Sequence, residues 1–333
     1  MKKLSLTLEN IASTENLLEA WVEFIKGKQE RTDVQEFSLR LMDNIILLHR
    51  DLVSHIYHHG PYRAFNICDP KPRNIHKAIV RDRLLHHALH RKLYPFFNQT
   101  FIAHSYSCRV GKGTYKALDC FRSFARKASC NHTKTVWVLK CDIRKFFASI
   151  DHGALLDILK CSIPDRDVIS LLTEIIESFS SATPDIGLPL GNLTSQLFVN
   201  VYLNKFDQFV KQTLGLKYYL RYADDFAIFS QDKTCLEKLI PKISVFLGGH
   251  LRLSLHPDKV FIKSFASGVD FLGWIHFPDH RVVRTASKRR MFRGMKDHPT
   301  EQTIASYAGM LKHGNAERLA RRVRDEFPLW FKK

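Results

Sequence analysis

The sequence lacks the features of a membrane or secreted protein. None of its apolar runs approaches the roughly 18 residues that a membrane-spanning helix needs, and the opening segment, MKKLSLTLENIAS, has no long apolar region after its two lysines. The seven cysteines form no C-x-x-C pair and have no regular spacing, which favours reduced, mostly buried thiols and leaves a zinc site as a minor alternative. We expect a cytoplasmic protein without a signal peptide or a membrane partner.

Acidic residues are scarce relative to basic ones. The 333 residues include 33 Asp or Glu and 51 Lys or Arg, for a formal net charge of +18. The segment 281–296, RVVRTASKRRMFRGMK, contains seven basic residues and no acidic one. Such an excess is typical of proteins that bind a polyanion, and it predicts binding to a nucleic-acid backbone that weakens as salt rises. A solvated basic helix without a partner is the alternative.

Hydrophobic periodicity predicts a mixture of helices and strands. Helices are expected within 10–56 with Thr14 as an N-cap, from 81 to an end near Pro95, from about 194, and from 236 to the Gly-Gly pair at 248–249. Segment 136–141 is predicted to be a buried strand. Segment 217–230 is predicted to be a hairpin whose tight turn contains Asp224 and Asp225.

Three carboxylates occupy matching positions in this pattern. Asp142 ends an apolar strand, and Asp224 and Asp225 lie between two apolar runs. An acidic pair there repels itself and resists burial unless a cation neutralises it. If the strands are neighbours in one sheet, three hard oxygen ligands converge without basic side chains beside them. That donor set calls for Mg²⁺, and two such ions support in-line phosphoryl transfer. Solvent-exposed turn aspartates are the alternative.

Several sequence blocks resemble a known family. LKCDIRKFFASIDH, GLPLGNLTSQLFVNVYLN, YADD, LRLSLHPDKV and FLGW follow the order of the palm motifs of reverse transcriptases, and DPKPRNIH is similar to a fingers segment of the bacterial branch. GNLTSQLF, HGPYRAF and SYSCRVGKGT most resemble the reverse transcriptases of diversity-generating retroelements. The resemblance spans roughly residues 60–315.

The resemblance implies an α+β right-hand polymerase fold. Its palm would be a ferredoxin-like (RRM-like) domain with an antiparallel sheet, joined by fingers and a small helical thumb. The implied division is an N-terminal helical extension over 1–56, fingers over 57–135, a palm over 136–276 with a fingers-side insertion at about 153–190, and a basic helical thumb over 277–333. About 60 residues follow FLGW, so neither an RNase H nor an endonuclease domain is expected.

The resemblance also assigns the reaction centre. Asp142, Asp224 and Asp225 correspond to the catalytic, metal-binding carboxylates, and the main-chain carbonyl of Ile143 would complete one coordination shell. Two Mg²⁺ ions are the implied cofactors, with Mn²⁺ as a substitute.

Further residues correspond to the family's nucleotide-binding positions. Lys71 and Arg73 resemble the cations that hold the triphosphate, with an exposed basic turn as the alternative. Lys259 matches the lysine that protonates the pyrophosphate leaving group, although by sequence alone it is an ordinary surface lysine. Phe147 corresponds to the ring that excludes a 2′-hydroxyl, and Phe146 is assigned to the core.

The segment GLPLGNLTSQ would form the floor beneath the nascent base pair. Gly191 would let the backbone approach the nucleotide, and Gln196 would lie near the template base. Leu190 stands where retroviral relatives carry a glutamine that contacts the incoming sugar. An aliphatic side chain cannot make that polar contact, so the resemblance implies error-prone copying at template adenines. A plain packing role for Leu190 is the alternative.

Two C-terminal segments complete the implied site. FLGW resembles the turn that grips the primer end, with a simple hydrophobic hairpin as the alternative; its residues are Phe271, Leu272, Gly273 and Trp274. The basic residues expected to contact the nucleic-acid backbone are Arg284, Lys288, Arg289, Arg290 and Arg293.

The resemblance implies an RNA-directed DNA polymerase of a diversity-generating retroelement, in a bacterial cell or encoded by a phage. Its partners would be template RNA, a cDNA or primer strand, dNTPs and a small basic accessory protein. A defence-associated or unassigned bacterial reverse transcriptase is one alternative. A non-catalytic, maturase-like RNA-binding scaffold is another, although a scaffold has no need of three costly carboxylates.

Overall fold

The computed structural model describes residues 3–67 and 72–328 and confirms the α+β fold class. The helices in this part of the chain are α1 (Leu8–Ala12), α2 (Thr14–Phe24), α3 (Thr32–Leu39), α4 (Leu41–Val53), α5 (Val80–Thr100), α6 (Thr114–Ala128), α7 (His152–Ser162), α8 (Arg166–Glu177), α9 (Leu193–Gln208), α10 (Lys233–Leu251), α11 (Thr285–Asp297), α12 (Glu301–Leu311) and α13 (Glu317–Glu326). The strands are β1 (Arg63–Ile67), β2 (Arg73–Lys77), β3 (Trp137–Asp142), β4 (Tyr219–Tyr222), β5 (Asp225–Ser230), β6 (Phe261–Ser264), β7 (Val269–Phe271), β8 (Trp274–His276) and β9 (Arg281–Val283).

The chain divides into two compact units, each built from separate stretches. The first unit contains Met1–Ala103, Ile143–Gly215 and Lys242–His256. The second unit contains His104–Asp142, Leu216–Pro241 and Pro257–Lys333. The expected boundaries of fingers, palm and thumb follow sequence motifs, and they stay a prediction.

The second unit contains a four-stranded antiparallel sheet in the order β4-β5-β3-β6. In the chain, α7–α9 lie between β3 and β4, and α10 lies between β5 and β6. This βαββαβ order and the strand order are those of a ferredoxin-like fold. The central strands are apolar and fully buried at Val138, Leu139, Leu220 and Ala227, as expected for strands that are covered on both faces.

A second sheet and several helices complete this unit. Strands β7, β8 and β9 form an antiparallel meander. Phe121 of α6 stacks on Phe271 with ring centroids 4.6 Å apart. Met291 and Met295 of α11 are fully buried in the same core cluster. The predicted C-terminal basic helix therefore has one apolar side that packs and leaves its charged residues on the other.

The first unit is mainly helical. Leu84, Leu85, Leu89 and Leu93 of α5 are fully buried, so the helix is a central element of this unit. The amide of Asn16 in α2 is also buried and donates to the main-chain oxygens of residues 11 and 88. Of the paired strands, β1 is largely exposed, and β2 is exposed at its start and partly buried over its last three residues.

Three predicted helix boundaries were wrong. Ser13, not Thr14, caps α2, because its hydroxyl accepts the main-chain N–H of Asn16. Helix α5 continues through Pro95 to Thr100. Helix α10 likewise continues through the Gly-Gly pair. In both helices, apolar residues buried on either side of the break offset the unfavourable helix propensity of Pro or Gly, so tertiary packing overrides the local signal.

Two further expectations are corrected. The tight turn of the 217–230 hairpin consists of Ala223 and Asp224, and Asp225 already belongs to β5, paired with Tyr222. The prediction that most of the cysteine thiols are buried was also wrong. In the described part of the chain none of the six cysteines forms a disulfide, and four of them, in loops and on helix surfaces, are exposed: Cys108, Cys130, Cys161 and Cys235.

In the segments 3–67 and 72–328, no helix combines the length and apolar character needed to cross a membrane.

Candidate active site

Strand register brings two of the three predicted carboxylates together. Asp142, the last residue of β3, lies directly opposite Asp225, the first residue of β5. Directly opposed residues of an antiparallel pair have Cβ atoms about 4.5–5.5 Å apart and project to the same face. Both side chains are partly buried, each 19% exposed. Two residues 83 positions apart thus share one edge of the sheet.

The turn that carries Asp224 is held from both sides. Ala223 has φ +53°, a left-handed conformation that lets a two-residue turn join β4 to β5. The buried guanidinium of Arg221 donates to the carbonyl oxygen of Ala223 at 3.0 Å and to the Ser105 hydroxyl at 3.2 Å. The Tyr222 hydroxyl lies 3.0 Å from Oγ1 of Thr114, at the start of α6. These contacts fix the hairpin tip that presents Asp224.

Contrary to the sequence-based expectation, basic side chains lie beside the carboxylates. Lys140 Nζ is 2.7 Å from Asp225 Oδ1. Lys259 Nζ donates to Asp142 Oδ1 at 3.0 Å. Lys140 is two residues before Asp142 and therefore projects to the same face of β3. Lys259 follows α10 in a short 3-10 turn. The two ammonium groups partly neutralise the acidic edge.

The pKa of Asp225 reports the electrostatics of this edge. Burial raises the pKa of this carboxyl to about 6, the ammonium of Lys140 opposes the rise, and the charges of Asp224 and Asp142 add to it. The carboxyl group of Asp225 therefore senses both other aspartates. All three acidic groups act within one electrostatic neighbourhood.

The donor chemistry fits a hard divalent cation. Carboxylate oxygens are the ligands that Mg²⁺ prefers, and at this edge Asp142 and Asp225 are already each engaged by a positive charge. Within the described residues, no three His, Cys, Asp or Glu side chains form a ready-made metal group. If an ion binds, Asp142 and Asp225, with Asp224 at the turn, would hold it in place of the lysine ammonium groups.

The first unit contains several predicted nucleotide-binding residues. The carbonyl of Leu190 accepts the main-chain N–H of His76 in β2, at 2.9 Å. Gly191 has φ +118°, and a Cβ there would lie 2.9 Å from Cγ2 of Ile75. Glycine is therefore required both by the backbone conformation and by the close approach to β2. Gln196 lies on the first turn of α9.

The remaining predicted residues of this unit differ in how exposed they are. Phe146 is 3% exposed, which confirms its assignment to the core, whereas Phe147 is only partly buried. Ile143 is fully buried. Arg73 is exposed at the start of β2. Lys71 lies outside the described residues.

The FLGW segment forms the turn between β7 and β8. Leu272 and Gly273 have φ +50° and +85°, typical of the two central residues of a type I′ hairpin turn. Phe271 and Trp274 flank the turn and are buried. Lys140 Nζ lies 5.6 Å from the Phe271 ring centroid, so the lysine that pairs with Asp225 also contacts this hairpin.

The predicted basic residues surround α11. Arg289 and Arg293 are exposed one helical turn apart, while Lys288 and Arg290 are partly buried. Arg284, which precedes the helix, donates to Asp270 Oδ2 at 2.7 Å. Arg284 therefore has a structural ion pair in addition to its predicted contact with nucleic acid.

Sequence reasoning missed Lys140 and Arg221. A signal existed for Lys140, because a lysine two positions before Asp142 interrupts the apolar strand VWVLKCD. Arg221 alternates with apolar residues in β4 and is 1% exposed. Nothing in the sequence indicates that its guanidinium holds the tip of the hairpin.

The fold and the site define a class of protein. A ferredoxin-like antiparallel sheet with carboxylates at the ends of two adjacent strands is the arrangement of a polymerase palm that transfers nucleotides. The family model described as "Reverse transcriptase (RNA-dependent DNA polymerase)" matches residues 69–276, more than half of the chain. The chain belongs to the reverse transcriptase family and is an RNA-directed DNA polymerase by class. This family generally uses divalent metal ions, a template RNA and nucleotide substrates.

Curated relatives include bacterial and intron-encoded proteins. Protein YkfC of Escherichia coli is 25% identical over 304 residues, covering 79% of this chain and 77% of that protein. The group II intron-encoded protein LtrA of Lactococcus lactis is 24% identical over 305 residues, covering 70% of this chain and 49% of that protein. A putative COX1/OXI3 intron 2 protein of Saccharomyces cerevisiae is 21% identical, covering 68% of this chain and 33% of its own length.

A solved structure supports the fold. The chain resembles telomerase from Candida albicans, in complex with a fragment of telomeric RNA, with a TM-score of 0.50 and 10% identity. The match covers 69% of this chain and 47% of that chain. The right-hand polymerase fold expected from the sequence is therefore confirmed at the level of the fold.

Proposed function

We propose that the chain copies an RNA template into cDNA at a reaction centre formed by Asp142, Asp224 and Asp225. The observation that supports this proposal best is the register of β3 and β5, which sets Asp142 opposite Asp225 beside the turn that carries Asp224. A surface pair of turn aspartates needs no partner on a neighbouring strand and no buried arginine to hold the turn.

The reaction joins a primer 3′-oxygen to the α-phosphorus of a dNTP and releases pyrophosphate. Mg²⁺, or Mn²⁺ in its place, supplies Lewis-acid stabilisation of the developing charge when it is bound. Asp142, Asp224 and Asp225 would bind the cation and so orient the reacting groups. Lys259, which donates to Asp142 in this structure, would give a proton to the departing pyrophosphate, a role that comes from the resemblance. Lys140 compensates the charge of Asp225.

The resemblance assigns the nucleotide contacts to further residues. Phe147 would exclude the 2′-hydroxyl, Arg73 and Lys71 would bind the triphosphate, and Gly191 and Gln196 would lie along the base pair. The primer grip at 271–274 and the basic residues of α11 would hold the nucleic-acid strands. These roles come from the resemblance.

The proposed biological setting is a diversity-generating retroelement. GNLTSQLF, HGPYRAF and SYSCRVGKGT support this setting, and the aliphatic Leu190 fits error-prone copying at template adenines. A small basic accessory protein is the partner that this setting implies. Leu190→Gln should lower misincorporation opposite template adenine, measured by sequencing of the cDNA. An unchanged error spectrum would contradict the role given to Leu190.

A primer-extension assay tests the polymerase. The wild-type chain with a primed RNA template, Mg²⁺ and labelled dNTPs should extend the primer. Asp142→Asn and Asp224→Ala should lower incorporation by at least about 100-fold, because each removes a ligand of a charge-stabilising centre, while RNA affinity remains. Asp157→Asn, on the exposed face of α7, is the matched control. Extension at the wild-type rate by Asp224→Ala would overturn the assignment.

A maturase-like RNA-binding scaffold is the second candidate, because two of the relatives described above are intron-encoded proteins. A defence-associated or unassigned bacterial reverse transcriptase is a further possibility. Stimulation of intron splicing by both the wild type and Asp224→Ala, without primer extension by either, would favour the scaffold. A template repeat and a variable repeat next to the coding sequence would favour the retroelement over a defence role.

A further inference from the structure

A buried chain of polar side chains crosses the first unit and begins in HGPYRAF, a motif with no role in the proposed reaction. The imidazole of His59 is 0% exposed, and His86 in α5 is 2% exposed. Their Nε2 atoms are 3.3 Å apart. On the far side of His86, Nδ1 lies 2.8 Å from Oγ1 of Thr194. Three side chains thus connect the segment before β1 with the N-terminus of α9.

Other contacts hold the His59 ring in one orientation. Its Nδ1 is 2.6 Å from the carbonyl oxygen of Gly60. Its ring stacks on Tyr62 with centroids 4.7 Å apart, and the Tyr62 hydroxyl lies 2.9 Å from Ser178 Oγ. The main-chain N–H of His59 donates to Glu174 Oε1 at 2.9 Å. The first member of the chain is therefore fixed by both α8 and its own loop.

The partners determine where the protons lie when both rings are neutral. A carbonyl oxygen only accepts, so Nδ1 of His59 carries the hydrogen and its Nε2 is an acceptor. His86 must then donate through Nε2, which leaves its Nδ1 to accept the hydroxyl hydrogen of Thr194. Burial lowers the pKa of His86 to about 3, which keeps this ring neutral. This arrangement satisfies the hydrogen bond between the two rings and the one to Thr194, and Nε2 of His59 also lies 3.2 Å from the Tyr62 hydroxyl.

Thr194 stands at a sensitive place. It is the second residue of α9, 1% exposed, three residues after Gly191 and two before Gln196. We propose that His86 is a positioning residue for nucleotide binding: through Thr194 it fixes the start of α9 and so the segment 190–196. This inference rests on the proposed function, which gives that segment to the nucleotide.

If the hydrogen bond between His86 and Thr194 is removed, the segment 190–196 cannot easily replace it. The carbonyl of Leu190 is held by the N–H of His76, at the other end of the segment. Between the two anchors, the amide Nδ2 of Asn192 is buried and has no hydrogen-bond partner among the described residues. A leucine at 86 would fill similar space but would leave the Thr194 hydroxyl buried without a partner, which is unfavourable. The segment would then shift toward conformations that satisfy the hydroxyl.

Isosteric variants test the proposal. Thr194→Val removes the hydroxyl, His86→Leu removes the acceptor, and His86→Asn matches leucine in shape but returns an acceptor near the position of Nδ1. Thr173→Val is the matched control, because its hydroxyl donates within α8 to the carbonyl of Ile169. Steady-state primer extension gives kcat and the KM for dNTP. Filter binding gives RNA affinity, and hydrogen exchange reports on residues 190–196 without any need for catalysis.

Thr194→Val and His86→Leu should each raise the KM for dNTP about three- to tenfold, the ratio expected for loss of one hydrogen bond. The kcat should stay within about twofold, and RNA affinity should not change. The double variant should be no worse than either single one, and His86→Asn should recover part of the loss. Hydrogen exchange at residues 190–196 should be faster in Thr194→Val and His86→Leu than in the wild type. It should be unchanged in Thr173→Val.

Two other results distinguish failure of the positioning role from failure of the proposed polymerase function. If wild-type protein extends primers and all variants keep the wild-type KM, or if KM rises equally in Thr173→Val, the positioning role is wrong and the polymerase stands. If the wild type does not extend primers, the proposed function fails. In that case hydrogen exchange still tests whether His86 fixes the conformation of residues 190–196. Unchanged exchange at 190–196 in His86→Leu would show that it does not.

Discussion

At Asp225 two opposing electrostatic effects meet. Burial and the neighbouring carboxylates favour the neutral acid, while the ammonium of Lys140, 2.7 Å away, favours the carboxylate. A lysine on the same strand face as the acidic edge therefore serves a purpose that a leucine could not. It helps to keep a largely buried carboxylate charged near neutral pH.

Replacing Lys140 with methionine should raise the pKa of Asp225. The wild-type carboxyl should titrate at about 6 in metal-free protein, and removal of the adjacent positive charge should raise that midpoint by about 1 to 3 units. Carboxyl carbon chemical shifts measure the midpoint, and Asp225→Asn identifies the signal. Lys263→Met, an exposed lysine in β6, is the control. A midpoint that is the same in Lys140→Met and wild type would contradict this account.

Gly191 is the residue where backbone conformation and packing coincide. Gly191→Ala should lower the free energy of unfolding by about 1–3 kcal/mol, because alanine is strained at φ +118° and its Cβ would press on Ile75. Urea unfolding measures the change. Gly248→Ala, in the last turn of α10 and with nothing outside its own helix backbone and chain neighbours within 4 Å of the new Cβ, should instead stabilise by up to about 1 kcal/mol. A neutral effect of Gly191→Ala would show that the loop relaxes freely.

At the scale of elements, α5 combines histidines with deep burial. Burial lowers the pKa of His86 to about 3, and burial together with nearby positive charge lowers that of His87 to about 4. Burial lowers the pKa of His90 to about 4. These values lie below the ordinary value near 6.5 of the unfolded chain. The unfolded state therefore binds protons first as the solution is acidified. The stability contributed by neutral histidines is complete above about pH 6.5 and is lost as the pH falls toward 4.

Acid should consequently destabilise the fold between about pH 6.5 and 5, above the ordinary pKa range of Asp and Glu side chains. For His86 alone the loss between pH 6.5 and 5 is about 2 kcal/mol. In His86→Leu the slope of unfolding free energy against pH, between pH 6 and 5, should fall by about 1 kcal/mol per pH unit. Urea titrations at several pH values measure the slope, with His298→Leu, exposed after α11, as control. A wild-type slope in His86→Leu would mean that this histidine is not the group concerned.

One hairpin turn is indicated by local sequence, whereas the other depends on tertiary contacts. At 272–273 the Leu-Gly pair itself indicates the turn, and the structure has it there. At 223–224 no glycine is present, and the turn is one residue earlier than the acidic pair suggested. Buried Arg221 holds the Ala223 carbonyl and so stabilises a left-handed alanine that sequence rules disfavour.

Across the whole molecule, charge is distributed unevenly. Residues 1–56 carry nine acidic and seven basic side chains, although the chain as a whole has a net charge of +18. The basic excess therefore lies beyond the N-terminal helices. We expect nucleic acid to contact the later part of the chain, including α11.

The salt dependence of RNA binding should reveal this contact. Replacing Arg289 and Arg293 with glutamine should reduce the slope of log affinity against log salt by about 1.5, because each lost phosphate contact removes about 0.7–0.9 from the slope. Filter binding from 50 to 300 mM salt measures it. Replacing Lys26 and Arg50, in the N-terminal helical region, with glutamine changes the same net charge and should leave the slope unaltered. Equal effects of the two pairs would indicate that only total charge matters.

The sequence by itself determined the class of fold, the order of the motifs and the positions of the three acidic residues. Those features are encoded locally, in apolar periodicity, in turn residues and in short motifs that place a carboxylate at a strand end. Only the tertiary structure decided which residues oppose one another across strands. It set Asp142 against Asp225, brought Lys140 and Lys259 to them, carried α5 and α10 through Pro95 and the glycine pair, and joined His59, His86 and Thr194. Such contacts depend on register and on burial between segments up to 135 positions apart, and no local rule reports either.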